Sequence, residues 1–284
     1  MFESHFGFSA TPFQLSPDPG FYFDSAGHRQ ALSYLKYGVY QGEGFVVFTG
    51  DVGSGKTMVV RKLLESLKAS EIVAAHVVNT QLDSIELLRS ICDAFHLEAA
   101  GSSKAQLLTT LEVFFTAVAA GGRRVLLVID EAQNLGLKEV EELRMLSNYQ
   151  VGNRALIQSF LVGQPELRLM LASGTMEQLR QRVIASCHLG PLSVAETRGY
   201  VEHRLRRVGW YGFPAISDRA YVKVHALTDG IPRRVNQLFT RVLLASWLTS
   251  KDTIASEDVA NAATALAAEF ERVGVAAIDA PKVG

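Results

Sequence analysis

The sequence predicts an α/β fold with strands buried on both faces, joined to an all-helical C-terminal part. Three observations carry this. The glycine-rich stretch Gly50-Asp51-Val52-Gly53-Ser54-Gly55-Lys56-Thr57 lies between a short apolar, β-rich run at 45–49 and a helical pattern at 59–67. Residues 125–131, Val-Leu-Leu-Val-Ile-Asp-Glu, form a continuous apolar run ending in two carboxylates, as a strand covered on both faces does. From Gly190-Pro191-Leu192 onward the composition changes and only helical patterns follow.

Composition narrows the class. A chain of 284 residues allows one large or two ordinary domains, and 48% hydrophobic with 20% charged residues is a soluble, globular balance. Lys+Arg 28 against Asp+Glu 29 leaves a net charge of −1, so there is no electrostatic footprint for non-specific nucleic-acid binding. The two cysteines, Cys92 and Cys187, are far apart and in apolar surroundings, which reads as core thiols rather than a disulfide framework or metal site. Residues 1–5 have neither the basic nor the apolar region of a signal peptide, and no apolar run reaches membrane-spanning length. The expected location is the cytoplasm.

Residues 1–44 precede the first strand. Thr11-Pro12-Phe13 and Ser16-Pro17-Asp18-Pro19-Gly20 are turn-rich, Phe21-Tyr22-Phe23 is aromatic, and Asp24 or Ser25 caps a helix over 28–40. Pro12 and Phe13 are candidates to contact a nucleotide base, because a segment ahead of a phosphate-binding loop often closes over it. The competing reading has these side chains pinning an N-terminal arm to the core.

Residues 50–57 fit G-x-x-x-x-G-K-[ST] at every fixed position. Gly50, Gly53 and Gly55 let the backbone curl so that its N–H groups face a phosphate where side chains would clash. The N-terminus of the following helix adds its positive dipole end. Lys56 reaches the β- and γ-phosphates as a mobile charge, and the Thr57 hydroxyl is a candidate Mg²⁺ ligand. The expected nucleotide-contacting set is therefore Gly50, Asp51, Val52, Gly53, Ser54, Gly55, Lys56, Thr57 and Met58.

A second strand is expected at 72–79, then amphipathic helices at 83–95 and 103–120, the second capped by Ser102 or Ser103. Asp130 and Glu131 follow the apolar run, at the sheet edge where open α/β folds bind ligands. Asp130 matches an acid that holds Mg²⁺, and Glu131 one that polarises the attacking water. A helix is expected at 137–150 and a buried strand at 156–163, ending at Gln164-Pro165, where Gln164 is a candidate γ-phosphate sensor. Arg180 and Arg182 are candidates for an arginine finger reaching a neighbouring subunit's γ-phosphate, with a solvated helix face as the alternative. Residues 187–189 are read as a short last strand. Helices are expected at 194–208 and 218–228, then one opened by Pro232 and one by Ser256. The tail after 273 is expected to fray.

This order of parts resembles the AAA+ ATPases, and more closely those of general secretion pathway protein A type. The resemblance covers about residues 2–272. Its specific carriers are Thr11-Pro12-Phe13-Gln14-Leu15-Ser16-Pro17-Asp18-Pro19, Asp130-Glu131-Ala132-Gln133-Asn134-Leu135, Gly163-Gln164-Pro165-Glu166-Leu167 and Leu179-Arg180-Gln181-Arg182-Val183. Tyr37-Gly38, Gln41-Gly42-Glu43-Gly44-Phe45 and Glu142-Leu143-Arg144-Met145-Leu146-Ser147-Asn148 are similar to the subfamily encoded beside exosortase/PEP-CTERM exopolysaccharide loci. The resemblance implies a three-layer P-loop NTPase core with a five-stranded parallel sheet over 1–190, a helical lid over 191–273 and a flexible tail over 274–284. It implies Arg233 as a lid arginine sensing nucleotide, and ATP with Mg²⁺ as cofactors. As partners it implies ATP/ADP, other copies of the chain in a nucleotide-dependent homo-oligomer, and an inner-membrane protein of a secretion or polysaccharide export system, which would put the chain peripherally at that membrane. Longer members carry a membrane helix and a peptidoglycan-binding domain after the ATPase.

The expected function is a Mg²⁺-dependent ATPase that drives or regulates envelope secretion or exopolysaccharide export. Two readings compete: a DNA-linked switch of the transposition type, opposed by the neutral charge and the lack of a helix-turn-helix pattern, and a nucleotide-gated scaffold with little turnover, opposed by the intact acid pair.

Overall fold

The computed structural model describes residues 2–16, 18–78, 82–99, 101 and 103–273; Asn79, Ser102 and the tail 274–284 lie outside them. The chain opens with α1 (Phe2–Phe6) and α2 (Ala26–Gln41), then β1 (Phe45–Gly50), α3 (Lys56–Ser66) and β2 (Ile72–Val77). α4 (Ser84–Ala94), α5 (Lys104–Ala120) and β3 (Arg124–Ile129) follow. Next come α6 (Leu137–Leu146), the two-residue strands β4 (Gln150–Val151) and β5 (Arg154–Ala155), and β6 (Ile157–Gly163). α7 (Glu166–Ala172), α8 (Glu177–Arg180) and β7 (Val183–Leu189) complete the α/β part. The rest is α9 (Val194–Arg207), β8 (Ala215–Ile216), α10 (Asp218–Thr228), α11 (Pro232–Leu248), β9 (Thr253–Ile254) and α12 (Ser256–Val273).

The described residues fall into two compact units: those within Met1–Gly27, Asp51–Met58 and Gly190–Gly284, and those within His28–Gly50 and Val59–Leu189. The second holds a five-stranded sheet in the order β2-β3-β6-β1-β7, every neighbour pair parallel. Side chains alternate between its faces. Phe45, Val47, Leu127, Ile129 and Leu161 pack with the buried faces of α4, α5, α6 and α7. Val46, Phe48, Leu126, Val128, Phe160 and Val162 pack with Ala31, Leu35 and Val39 of α2 and Val59, Val60 and Leu63 of α3. β1 and β6 are buried at every residue, which fits the apolar runs Phe45–Phe48 and Phe160–Val162; the buried Gln158 amide of β6 donates to the carbonyls of Gly38 and Glu43. Capping boxes start α4 (Asp83 with Glu86) and α5 (Ser103 with Gln106).

Two sequence expectations in this unit change. α6 ends at Leu146 rather than 150, and the chain turns into the β4–β5 hairpin through Gly152, whose φ of +59° favours glycine. The last strand is longer than expected, starting at Val183 rather than 187. β7 is an edge strand whose residues alternate between less and more exposed, so it lacks the continuous apolar run Phe45–Phe48 of β1 beside it.

The other unit is built from α9 to α12, with Ser193 and Glu196 forming a capping box on α9 and Pro232 at the first turn of α11. The N-terminal segment, expected with the α/β core, packs into this unit instead. Phe2, Phe6, Phe8 and Phe13 are buried in one cluster with Tyr200, Leu205, Leu238 and Phe239. A buried polar chain fastens it. Arg204 Nε donates to the Pro12 carbonyl (2.6 Å) and its guanidinium to Tyr200 Oη (3.0 Å); Tyr200 donates to Asn236 Oδ1 (2.8 Å), and Asn236 Nδ2 to the Gln14 carbonyl (3.1 Å). The Arg204 charge is thus met by acceptors and by the Phe21 ring 4.7 Å away. Phe13→Ala removes a ring that is 3% exposed and lies 5.0 Å from that of Phe239, so it is expected to cost about 3–5 kcal/mol. Urea unfolding of the full chain measures this.

Candidate active site

The glycine-rich loop leaves β1 at Gly50 and enters α3 at Lys56. Gly53 has φ +78° and Gly55 φ +104°, conformations that a side chain opposes. Ser54 N–H donates to the Asp51 carbonyl (3.1 Å) and Met58 N–H to that of Gly55 (2.9 Å), so the curl is self-supporting. Lys56 is 6% exposed, and its Nζ donates to the Asp51 carbonyl at 3.0 Å. The Ser54 hydroxyl is buried with no hydrogen-bond partner among the described residues. Left-handed glycines, an orphaned hydroxyl and a lysine at a helix N-terminus fit a phosphate group. Gly53 has a second constraint: a Cβ there would lie 2.4 Å from Arg233 Cβ. The Arg233 N–H donates to the Gly53 carbonyl at 3.2 Å, so the first turn of α11 rests on the loop.

The acid pair stands at the end of β3. The Asp130 N–H donates to the Val77 carbonyl (2.8 Å), extending the β2–β3 ladder by one residue. The Asp130 side chain is buried; Oδ1 accepts the Glu131 N–H at 3.0 Å and Oδ2 lies 3.6 Å from His76 Nε2. Glu131 sits at φ +51°, ψ +36°, which is uncommon for a non-glycine residue and is stored strain of the kind found at functional sites. Its Oε2 accepts Gln133 Nε2 at 2.6 Å and Gln164 Nε2 at 3.1 Å. The Gln164 N–H donates to Gln133 Oε1 at 3.0 Å.

The structure thus brings together Asp130, Glu131 and Gln164, and separately Gly53, Lys56 and Arg233 within the loop and α11. It adds His76 and Gln133, which sequence reasoning passed over. Gln133 carried a weak signal, as a polar residue two positions after the acid pair; His76 carried none. Pro12 and Phe13 lie in the helical core, and no exposed face of the Phe13 ring remains for stacking on a base, so pinning the arm is the role their burial supports. Arg182 is half-buried: its guanidinium donates to Ser147 Oγ at 2.8 Å and its carbonyl accepts the Phe45 N–H. Arg180, at the end of α8, is exposed. Burial pushes both thiols, Cys92 and Cys187, up to about 11, which keeps them protonated at neutral pH.

Residues 39–171 match the AAA domain family. In sequence the chain is 38% identical over 264 residues to General secretion pathway protein A of Aeromonas hydrophila, covering 93% of this chain and 48% of that one. It therefore spans about half the length of the curated relative it matches. In fold it is similar to the ORC2 protein of Aeropyrum pernix in its ADP form (TM-score 0.61, 16% identity, 83% of this chain and 66% of that one). Cdc6p of Pyrobaculum aerophilum is comparably similar (TM-score 0.60, 18% identity, 93% and 70%). Fold and site together define a P-loop NTPase-fold protein of the AAA+ class. Within that class, general secretion pathway protein A is the type that the chain resembles in sequence.

Proposed function

We propose that this protein is a Mg²⁺-dependent ATPase that drives or regulates an envelope secretion or exopolysaccharide export system. The observation that carries the reading is the glycine-rich loop: left-handed Gly53 and Gly55, the unpartnered Ser54 hydroxyl and Lys56 at the start of α3. Loop N–H groups and the Lys56 ammonium bind the triphosphate. Thr57 and Asp130 would hold the Mg²⁺, which when bound neutralises charge on the phosphate oxygens. Glu131 accepts the proton of the attacking water. Gln164 and Arg233 respond to the γ-phosphate, and Arg180, the exposed member of its pair, acts on the nucleotide of a neighbouring copy in a homo-oligomer. Lid movement transmits nucleotide state to an inner-membrane protein partner, which would hold the chain peripherally at the membrane.

Phosphate release by the purified chain, with Mg²⁺ and with a chelator, tests the activity. Magnesium-dependent release is expected; its absence both alone and with the co-purified membrane partner would overturn the reading. Sizing with and without a non-hydrolysable ATP analogue tests the assembly, which Arg180→Ala is expected to leave intact while turnover falls about 10³-fold or more.

A further inference from the structure

We propose that Gln133 is the positioning residue that aims Glu131, by bridging the base to the tip of the neighbouring strand β6. This rests on the catalytic reading of Glu131 above. The bridge uses both ends of one amide. Nε2 donates to Glu131 Oε2 at 2.6 Å, and Oε1 accepts the backbone N–H of Gln164 at 3.0 Å. A second donor, Gln164 Nε2, meets the same Glu131 oxygen at 3.1 Å. Both side-chain amides therefore converge on Oε2. A carboxylate pinned through one oxygen has its plane fixed, and Oε1 is the oxygen whose direction that fixing determines. Orienting a base in this way matters because a displacement of about 1 Å at a reacting group costs about 10²-fold in rate.

Two independent features show that the bridge is built in rather than incidental. Glu131 holds a left-handed backbone conformation at φ +51°, which turns its side chain back toward Gln133 and Gln164 at a cost of order 1–3 kcal/mol. At the other end, a Cβ on Gly163 would lie 2.6 Å from Gln133 Oε1 and 3.3 Å from the Gln133 backbone nitrogen. Gly163 is therefore glycine because the Gln133 amide fills the space a side chain would take. Asn134 N–H donates to the Glu131 carbonyl at 3.0 Å, closing the one-turn helix at 132–134 that carries Gln133 into place. A displacement of the β6 tip, where Gln164 sits, reaches Glu131 by two routes: directly through Gln164 Nε2, and from the Gln164 backbone through the Gln133 amide. Gln133 thus couples the candidate sensor to the candidate base.

Gln133→Met, close in volume but without amide groups, is expected to lower kcat about 10- to 100-fold with KM and ATP affinity within about twofold of wild type. Gly163→Ala, which pushes the amide aside, is expected to match it. The double variant is expected to fall no further than either single one, because both break one bridge. Unchanged or increased kcat in Gln133→Met, or additive losses in the double variant, would overturn the proposal, as would a loss of affinity equal to the loss of rate. A second readout needs no activity. In nucleotide-free protein, removing the Oε1 acceptor is expected to speed hydrogen exchange at the Gln164 amide at least tenfold; an unchanged rate overturns the bridge. If wild-type protein neither binds nor hydrolyses ATP, the ATPase reading fails, while the exchange comparison still decides whether Gln133 holds the β6 tip.

Discussion

Lys56→Ala is expected to abolish measurable turnover and to weaken ATP binding by about ten- to a hundredfold. The binding loss follows from the value of a hydrogen bond to a charged group, about 1.5–3 kcal/mol. The rate loss is larger, about 10²–10³-fold, because the ammonium also meets charge that builds on the phosphates in the transition state. In the structure, the Lys56 ammonium is held at 3.0 Å by the Asp51 carbonyl, within the loop's own curl. That contact keeps a side chain that is 6% exposed pointed along the loop. That carbonyl is a neutral acceptor, and a phosphate oxygen is a stronger one. The variant is expected to stay folded, with stability lowered by no more than about 3 kcal/mol. Fluorescent-nucleotide titration, phosphate release and urea unfolding separate the three effects. Full affinity and full turnover in Lys56→Ala would remove the loop from the mechanism.

Gly53→Ala tests the same loop by a different route. It adds a methyl group 2.4 Å from Arg233 Cβ and asks for φ +78° from an alanine. Neither the loop nor the first turn of α11 can yield without losing the bond from Arg233 N–H to the Gly53 carbonyl. Weaker nucleotide binding together with a stability loss of about 1–3 kcal/mol is expected, against the nearly pure functional loss of Lys56→Ala.

How much of this was legible in the sequence depends on the distance over which each signal acts. The loop could be read because its function requires residue types at fixed local spacing, from Gly50 to Thr57. Asp130 and Glu131 could be read because they end an apolar run whose burial leaves little doubt that it is a strand. Gln164 was placed by strand order alone, and it does meet Glu131. Gln133 was seen only as part of a motif; its role depends on a contact from one strand end to the next, which no local pattern encodes. Phe13 misled for the same reason. Its partners Arg204 and Phe239 lie roughly two hundred residues further on, so a residue that reads as a base-stacking candidate is core to the helical unit. β7 was underestimated because an edge strand shows alternation where β1 beside it opens with the apolar run Phe45–Phe48.

Glu131→Gln is expected to bind ATP as wild type does and to hydrolyse it about 10²–10⁴-fold more slowly. The geometry makes this substitution unusually clean. Both amide donors, Gln133 Nε2 and Gln164 Nε2, converge on one oxygen, Oε2. A glutamine can set its single carbonyl oxygen in that place and keep both bonds, while its NH₂ group replaces Oε1. Those two bonds and the left-handed backbone at φ +51° are then retained, and what is lost is the carboxylate that takes a proton from water. Glu131→Asp makes the complementary change: it keeps a carboxylate but withdraws it by one methylene, out of reach of both amides. It is expected to be slow as well, through misplacement rather than loss of the base. The pair therefore separates chemistry from aim. Single-turnover phosphate release, alongside nucleotide affinity, reads the difference. Wild-type turnover in Glu131→Gln would show that another group activates the water, and the strained backbone at this position would then need a purpose other than presenting a base.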